Sequence, residues 1–375
     1  MAAREKRVGL MVEALHGYGP RILNGLARWV HSHPGWRVSF FDGERSELAR
    51  MVATWQGDGI ICTISDNDFL EAARSRDIPV VNVAGRFYES YQTSVISDNF
   101  ACGRLAAEYF LNRGFKNFAL AGATEASFSS NRATGYVQAL EEHGHRASIL
   151  QNPLGEEQAL ADWLKTLPLP CAIFCPSDRR AASVLEAAYL AKLNVPEDLS
   201  VLGIGDHKQL CELCTPPLSS VDCDMELRGF EAASLLSRLM AGEERPNEPL
   251  LVAPTGVVTR RSSDIYAFED PDLVKALRYI YENAHKTIKV NDVVAATSIS
   301  RRSLENRFRH QFHHSLHDEI WRVHFDLAKH LLTTTDLGLQ QVAEQSGFRT
   351  ASGLANLFKQ KTGVTPRTYR SEHRR

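Results

Sequence analysis

The sequence predicts an α/β body of two lobes followed by an all-α C-terminal domain. Three observations carry that expectation. Short apolar runs alternate with helix-length segments up to about residue 263, no strand pattern occurs after Leu273, and the C-terminal part contains an internal repeat. The length of 375 residues suits two or three domains, and 43% apolar with 23% charged residues suits ordinary globular cores rather than disorder.

In the body, the strand candidates cover residues 8–12, 38–41, 59–63, 80–83, 94–97, 118–122, 172–175 and 201–204. Helical patterns such as 22–30, 101–111 and 182–193 lie between them. Short, apolar strands in this alternation predict parallel sheets covered on both faces. A body of about 260 residues is long for one sheet, and a second series of units starts near Ser97. Two lobes with a ligand-binding cleft between them follow. The stretch from Val257 to Ser263 is expected as a closing strand, which sets the domains at 1–263 and 273–375 with a connector over 264–272.

The apolar run at 8–12 is too short for a signal-peptide core and is interrupted at Glu13, and no run approaches a membrane span. A cytoplasmic location and no membrane partner are expected. Seven cysteines in no framework spacing agree with a reducing compartment. Cys211, Cys214 and Cys223 supply three of four zinc ligands at most, so buried thiols are the default and no metal or cofactor is expected. The net charge of −2 conceals an asymmetry, because residues 270–375 carry 17 Lys+Arg against 11 Asp+Glu. A basic tail domain on an acidic body points to a polyanion at one end only.

The repeat identifies that end. Val293-Val-Ala-Ala-Thr-Ser-Ile299 corresponds to Val342-Ala-Glu-Gln-Ser-Gly-Phe348, and Leu304 and Phe308 correspond to Leu354 and Phe358. Each copy reads as a short helix, a tight turn at Ser298 or Gly347, an apolar anchor and a second helix, the helix-turn-helix pattern. In the first copy Leu304, Phe308 and Phe312 form the inward stripe, leaving Arg301, Arg302, Glu305, Asn306 and Arg309 outside. In the second copy Leu354, Leu357 and Phe358 point inward. Ser352, Asn356 and Lys359 are left outside, with Arg349 just before the helix. Arginine and asparagine match guanine and adenine edges, and lysine and arginine neutralise phosphates, so DNA is the expected partner. A bundle with an incidentally basic face would not produce two such copies in register.

The segment Asp336-Leu-Gly-Leu-Gln-Gln-Val-Ala-Glu-Gln-Ser-Gly-Phe348, with Gly363-Val-Thr-Pro-Arg-Thr-Tyr-Arg370, resembles the signature of the AraC-family DNA-binding domain. That resemblance implies a long helix, about 318–332, holding two helix-turn-helix units. Ala351 and Ala355 are small where polar readers often sit in the family. The body resembles the type I periplasmic-binding-protein fold of LacI/GalR-type repressors. The matching segments are Ser97-Asp-Asn-Phe-Ala-Cys-Gly-Arg104, Arg132-Ala-Thr-Gly-Tyr136, Pro176-Ser-Asp178 and Val201-Leu-Gly-Ile-Gly-Asp206. With the domain order reversed relative to those repressors, the whole chain is similar to the xylose-responsive regulators of the AraC family. Gly17-Tyr-Gly-Pro-Arg21 and Gly256-Val-Val-Thr-Arg-Arg-Ser262 add to the match.

What the resemblance implies is a sugar effector, D-xylose first, activation of sugar-catabolism genes, a homodimer and contact with RNA polymerase. It places Asp98, Arg132, Ser177, Asp178 and Asp206 in the cleft, with Tyr18 against the sugar ring. Asp98 and Asp178 each also precede an apolar helix and fit an N-cap role, Arg132 also fits a helix-start surface position, and Tyr18 also fits an exposed loop. Where relatives place an acid directly after Gly-x, this chain has Gly205 and then Asp206. Either Asp206 takes over the sugar contact or the ligand differs. Other function classes remain in view. An enzyme is disfavoured because Gly17-Tyr-Gly19 lacks the third glycine of a dinucleotide loop and no P-loop, nucleophile elbow or HExxH motif occurs. A regulator answering another ligand, or a sugar-binding interaction protein, are the alternatives.

Overall fold

The computed structural model describes residues 5–12, 18–122, 127–150, 157–267, 270–312 and 314–373; Gly17 of the first loop lies outside them. The chain forms two compact units, 1–267 and 268–375.

In the first unit, one lobe begins with β1 (Lys6–Met11), α1 (Gly19–Ser32), β2 (Trp36–Phe40), α2 (Arg45–Thr54), β3 (Gly59–Cys62), α3 (Asn67–Arg74), β4 (Val80–Asn82) and β5 (Val95–Ser97). The second lobe follows as α4 (Asn99–Leu111), β6 (Asn117–Ala121), α5 (Ser127–Glu142), β7 (Ala147–Leu150), α6 (Glu157–Leu164), β8 (Cys171–Phe174), α7 (Asp178–Ala191), β9 (Leu199–Ile204), α8 (Lys208–Leu213) and β10 (Ser219–Asp222). The chain then returns with α9 (Met225–Met240) and β11 (Leu250–Val252) to the first lobe, and closes with β12 (Gly256–Val258) on the second.

The first sheet has the order β2-β1-β3-β4, all parallel, and an Asn82–Ser94 bridge carries it on to the parallel pair β5-β11. The second has the order β12-β10-β9-β8-β6-β7, with β12 alone antiparallel. Strands β8 and β9 are buried at every position, as parallel strands covered by helices on both faces must be. The chain therefore crosses between lobes three times, after Ser97, after Asp222 and after Val252, and the first crossing coincides with the change expected near Ser97.

Helices α1 and α9 pack with their backbones in contact. A Cβ on Gly25 would lie 1.8 Å from the Glu226 carbonyl oxygen, and one on Gly229 would lie 2.0 Å from that of Ile22. This fixes the N-terminus of α1, and hence Tyr18 and Arg21, against the N-terminal half of α9.

The connector expected over 264–272 is shorter than that. Tyr266 is buried, Ile265 and Ala267 pack on the core of the first unit, and the Ala267 N–H donates to the Arg113 carbonyl. At the other end Asp270 caps α10 (Pro271–Glu282), and Asp272 is buried in its first turn. Residues 268–269 lie outside the described residues.

The second unit continues with α11 (Val290–Ala295), α12 (Arg301–Phe312), α13 (Leu316–Thr334), α14 (Leu339–Gln345), α15 (Ala351–Thr362) and α16 (Pro366–His373). Its long helix α13 starts at a Ser315–Asp318 capping box. Helices α11 and α12 form one helix-turn-helix unit, and α14 and α15 form the other. Leu304, Phe308, Leu354 and Phe358 are fully buried, in agreement with the repeat. Gly347 supplies the second turn with φ +77°, where a Cβ would meet the His324 ring at 2.5 Å.

Candidate functional site

A cavity of about 660 Å³ opens between the two lobes of the first unit. The first lobe contributes the C-terminal ends of β1 and β3 and the start of α1, through residues such as Val12, Tyr18, Thr63 and Ile64. The second lobe contributes Asn99, Phe128, Arg132, Ser177 and Gly205, and α9 adds Met225 and Arg228. Ligand sites in open α/β sheets form at this end of the strands.

Three of the six residues expected here line the cavity: Tyr18, Arg132 and Ser177. Arg132 is buried and held rigidly, its Nε donating to Asn99 Oδ1 at 2.9 Å and its Nη1 to the Pro176 carbonyl at 2.7 Å. The Phe128 ring lies 5.3 Å from its guanidinium. Ser177 borders the cavity while its hydroxyl accepts from Arg180 N–H as the N-cap of α7. Tyr18 is 39% exposed, with the Arg228 guanidinium 4.8 Å from its ring centre.

The three acids do not line it. Asp98 serves as N-cap of α4, accepting from Ala101 N–H at 2.9 Å. Asp178 is buried and accepts from Ser220 Oγ at 2.5 Å and from His207 N–H at 2.8 Å. Burial pushes its pKa above the ordinary carboxylate value despite these bonds. Asp206 turns away from the cavity. Gly205 at φ +123° and Asp206 at φ +47° carry the chain round a left-handed turn that delivers the carboxylate to Arg260 Nη1, 2.9 Å away. The one-residue displacement of this acid in the sequence thus has a structural counterpart, since Gly205 borders the cavity and Asp206 forms an ion pair outside it.

Two further groups were not singled out from the sequence. Arg228 is 3% exposed and borders the cavity; its Nη1 donates to Ser97 Oγ at 3.3 Å, while Nε and Nη2 are buried without a partner among the described residues. Thr63 Oγ1 is likewise buried and unpartnered at the wall. The sequence did contain a signal for Arg228. It occupies the same helical stripe as Met225, Ala232, Leu235 and Leu239, where a charge has no solvent to face.

On the second unit, Arg301, Arg302, Asn306 and Arg309 are exposed on α12, and Ser352, Asn356 and Lys359 on α15, with exposed Arg349 preceding it. Glu305 is half-buried and accepts from Arg301 Nε at 2.8 Å; Arg301 Nη1 also donates to Asn291 Oδ1 at 3.0 Å. Arg301 and Glu305 therefore partner each other, whereas Arg302 is exposed with no partner among the described residues. Among the described residues no group of His, Cys, Asp and Glu could hold a metal, and all seven cysteines are free, with Cys102 and Cys223 sulfurs 3.6 Å apart. No described helix is long and apolar enough to cross a membrane.

Comparison with known proteins agrees with this architecture. Residues 7–98 match the XylR N-terminal domain, 107–263 a periplasmic binding protein-like domain, and 293–372 a helix-turn-helix domain. Such a body, with an interlobe cavity and a paired helix-turn-helix unit, defines a sugar-responsive, DNA-binding transcription regulator and not an enzyme. The xylose operon regulatory protein of Escherichia coli K12 is 30% identical over 99% of this chain and 98% of its own length. That of Haemophilus influenzae is 27% identical over 99% of both chains. The solved structure described as the xylose-binding transcription activator XylR matches at 29% identity and TM-score 0.63 over the full length of both chains. The transcriptional regulator CelR in complex with cellobiose shares the fold, at 23% identity and TM-score 0.58, over 70% of this chain and 86% of its own. The chain belongs to the family of xylose operon regulatory proteins.

Proposed function

We propose that a sugar with a pentose skeleton of the D-xylose type enters the interlobe cavity and controls DNA binding by the paired helices, activating sugar-catabolism genes. The observation that carries this reading is the cavity itself: it draws walls from both lobes and presents Arg132, Arg228 and Thr63 alongside the aromatic rings of Tyr18 and Phe128. Guanidinium forks and hydroxyls supply directional hydrogen bonds to a polyol, and rings cover its apolar face. The pentose comes from the names of the full-length relatives.

Arg302, Asn306 and Arg309 read or clamp one major-groove segment, and Arg349, Ser352, Asn356 and Lys359 the adjacent one. The protein works in the cytoplasm as a homodimer that contacts RNA polymerase, and residues 268–270 connect its two units. Effector binding draws the lobes together and shifts the population of DNA-competent dimers. A coupling of about 1–3 kcal/mol between the two sites is ordinary for such systems and is reciprocal.

The test is a duplex selected by the protein from a random pool, titrated with and without saturating D-xylose. Sugar should change the affinity, and affinity should fall steeply with salt as counterions are released. A salt-independent interaction, or selected DNA no tighter than random DNA, overturns the assignment of these helices.

A further inference from the structure

Residues 259–263, where the chain prepares to leave the first unit, are tied to the second lobe. Arg260 pairs with Asp206 at 2.9 Å and Arg261 with Glu197 at 2.8 Å. Ser262 Oγ donates to the Val201 carbonyl at 2.7 Å and accepts from Ser219 N–H at 2.9 Å. The C-terminal end of α4 adds a second set of contacts. Tyr109 Oη lies 2.7 Å from Ser263 Oγ and 3.1 Å from Thr259 Oγ1. The Arg113 guanidinium stacks on the Tyr109 ring, 3.6 Å from its centre, with the Tyr266 ring centre 5.5 Å away. The Arg113 carbonyl accepts from Ala267 N–H at 2.8 Å, which fixes the last described residue before the connector.

The other end of α4 forms part of the cavity wall. Asn99 lines the cavity and accepts from Arg132 Nε at 2.9 Å. Helix α5, which carries Arg132, lies backbone to backbone against α4. A Cβ on Gly103 would sit 2.0 Å from the Arg132 carbonyl oxygen, and one on Gly135 would sit 2.1 Å from that of Phe100. With glycine at both contacts, no side chain between the helices can yield, and the pair moves as one piece. Tyr109 follows Asn99 by ten residues on this helix, which at the α-helical rise is about 15 Å. Cavity wall and connector root are therefore two ends of one rigid body. The α1–α9 contact stiffens the first lobe in the same way, so the three crossings between the lobes are where motion is absorbed.

We infer that the second lobe is the output arm of the regulator, and that Tyr109 and Arg113 are positioning residues that weld the connector to it. Closure of the lobes then turns the connector with the second lobe and reorients the DNA-binding unit. This rests on the reading of the cavity as the effector site and adds the route by which closure reaches the DNA. Tyr109 and Arg113 are buried but do not line the cavity, so their contribution is to coupling and not to sugar affinity. A connector fixed at its root transmits a rotation, whereas a loose one lets the DNA-binding unit reorient independently of the lobes.

The test measures how far saturating D-xylose shifts the affinity of the full-length protein for the selected duplex. Fluorescence anisotropy reads the duplex, and calorimetry reads D-xylose binding to the same preparations. The wild type should show a shift of about 5–150-fold, the usual span of allosteric coupling. With Gly-Ser-Gly-Ser inserted after Ala267, beyond the last clamped residue, the shift should fall below about twofold, because a flexible linker no longer passes on orientation. Tyr109→Phe removes only the hydroxyl contacts, and Arg113→Met removes the stacked cation. Each should shrink the shift about threefold or more, the worth of a hydrogen bond or a stacked cation. D-xylose affinity should stay within about twofold of wild type in all three proteins, as expected for changes distant from the sugar. A full shift in the insertion protein overturns the inference, because the signal then bypasses the connector. A full shift in both clamp variants overturns it as well. Loss of D-xylose affinity alongside the shift in both clamp variants would assign Tyr109 and Arg113 to the fold of the lobe and also overturn it. A wild type that does not bind D-xylose, or binds it without any shift, overturns the proposed function and the inference together.

Discussion

Arg260 holds the Asp206 carboxylate at 2.9 Å, and Arg21, from the opposite lobe, approaches the same carboxylate at 4.0 Å while donating to Asp222 at 2.9 Å. Arg260 also donates to Glu212 Oε1 at 2.8 Å and to the Leu218 carbonyl at 3.0 Å. The acid that sequence comparison placed on the sugar is instead the centre of an ion network joining α1 of the first lobe to the closing segment of the second.

Asp206→Asn therefore tests stability before it tests sugar binding. Asparagine tolerates the left-handed backbone at this position, so the substitution removes charge alone. The Asp206 and Arg260 side chains are 15% and 10% exposed, between a surface pair and a buried one. The expected loss is about 1–3 kcal/mol, intermediate between the two classes, read from urea unfolding of the first unit's transition. Effector affinity in calorimetry should stay within about threefold, since no cavity hydrogen bond is lost. A large loss of affinity at unchanged stability would return Asp206 to the cavity.

The α1–α9 contact supplies a second prediction. Gly229 has no room for a side chain because the Ile22 carbonyl would lie 2.0 Å from its Cβ. In a helix the change to alanine normally helps by up to about 1 kcal/mol. Here it should destabilise by about 1–3 kcal/mol, the usual penalty of overpacking a rigid contact. Because α1 presents Tyr18 at its start, weaker effector binding should accompany the loss. A stabilised Gly229→Ala protein would mean that the two helices separate freely.

What could be read in advance followed from periodicity and from charge. Strand β8 is an unbroken apolar run and β9 is apolar from Val201 onward, and the buried stripe of Leu304 and Phe308 separates the exposed arginines of α12 from the core. Strand β10 escaped because its sequence is Ser-Ser-Val-Asp. Its serines are buried only because Ser219 bonds to the Arg260 carbonyl and Ser220 to Asp178, partners some 40 residues away in the chain. Strand β7 is half exposed at a sheet edge, so its apolar signal is diluted. The same distinction divides the site. Tyr18, Arg132 and Ser177 follow from motif position, but whether an acid at a strand end faces the cavity depends on its tertiary partners, and Asp98, Asp178 and Asp206 all found others.

His324 should give the DNA-binding unit a pH-dependent stability. Its ring is 3% exposed and packs against Gly347, and burial lowers its pKa from the ordinary 6.5, partly opposed by the Lys286 backbone. With the folded pKa depressed, the unfolded chain takes up a proton that the folded chain refuses. Stability is thus fully present above the ordinary value and is lost as pH falls through it toward the folded pKa. The slope in that window stays below about 1.4 kcal/mol per pH unit, the limit for one titrating group. Hydrogen-exchange protection of α13 and α14, measured between pH 7.5 and 5.5, should fall in the wild type, and His324→Phe should flatten that fall (pH limits about one unit either side of the histidine range). An identical decline in both proteins would assign the effect to other histidines.

The last prediction concerns which arginine of α12 reads DNA. Arg301 is committed within its own unit, to Glu305 at 2.8 Å and Asn291 at 3.0 Å, and Arg307 pairs with Asp270 at 3.0 Å. Arg302 is exposed with no partner among the described residues, and Asn306 is exposed one turn further along the same face. A free guanidinium beside an asparagine is the pair of groups that matches guanine and adenine edges in the major groove. Arg302→Ala should cost about 1–3 kcal/mol on the selected duplex and relax preference at one base pair, while random DNA loses far less. Arg301→Ala should loosen Glu305 and weaken both kinds of DNA by a similar, smaller factor. Lys359→Ala, on the other recognition helix, should lower the salt slope by about one unit without altering sequence preference, as the loss of a phosphate contact does. Equal losses on selected and random DNA for Arg302→Ala would make it a backbone clamp and pass the reading role to Asn306 and its neighbours.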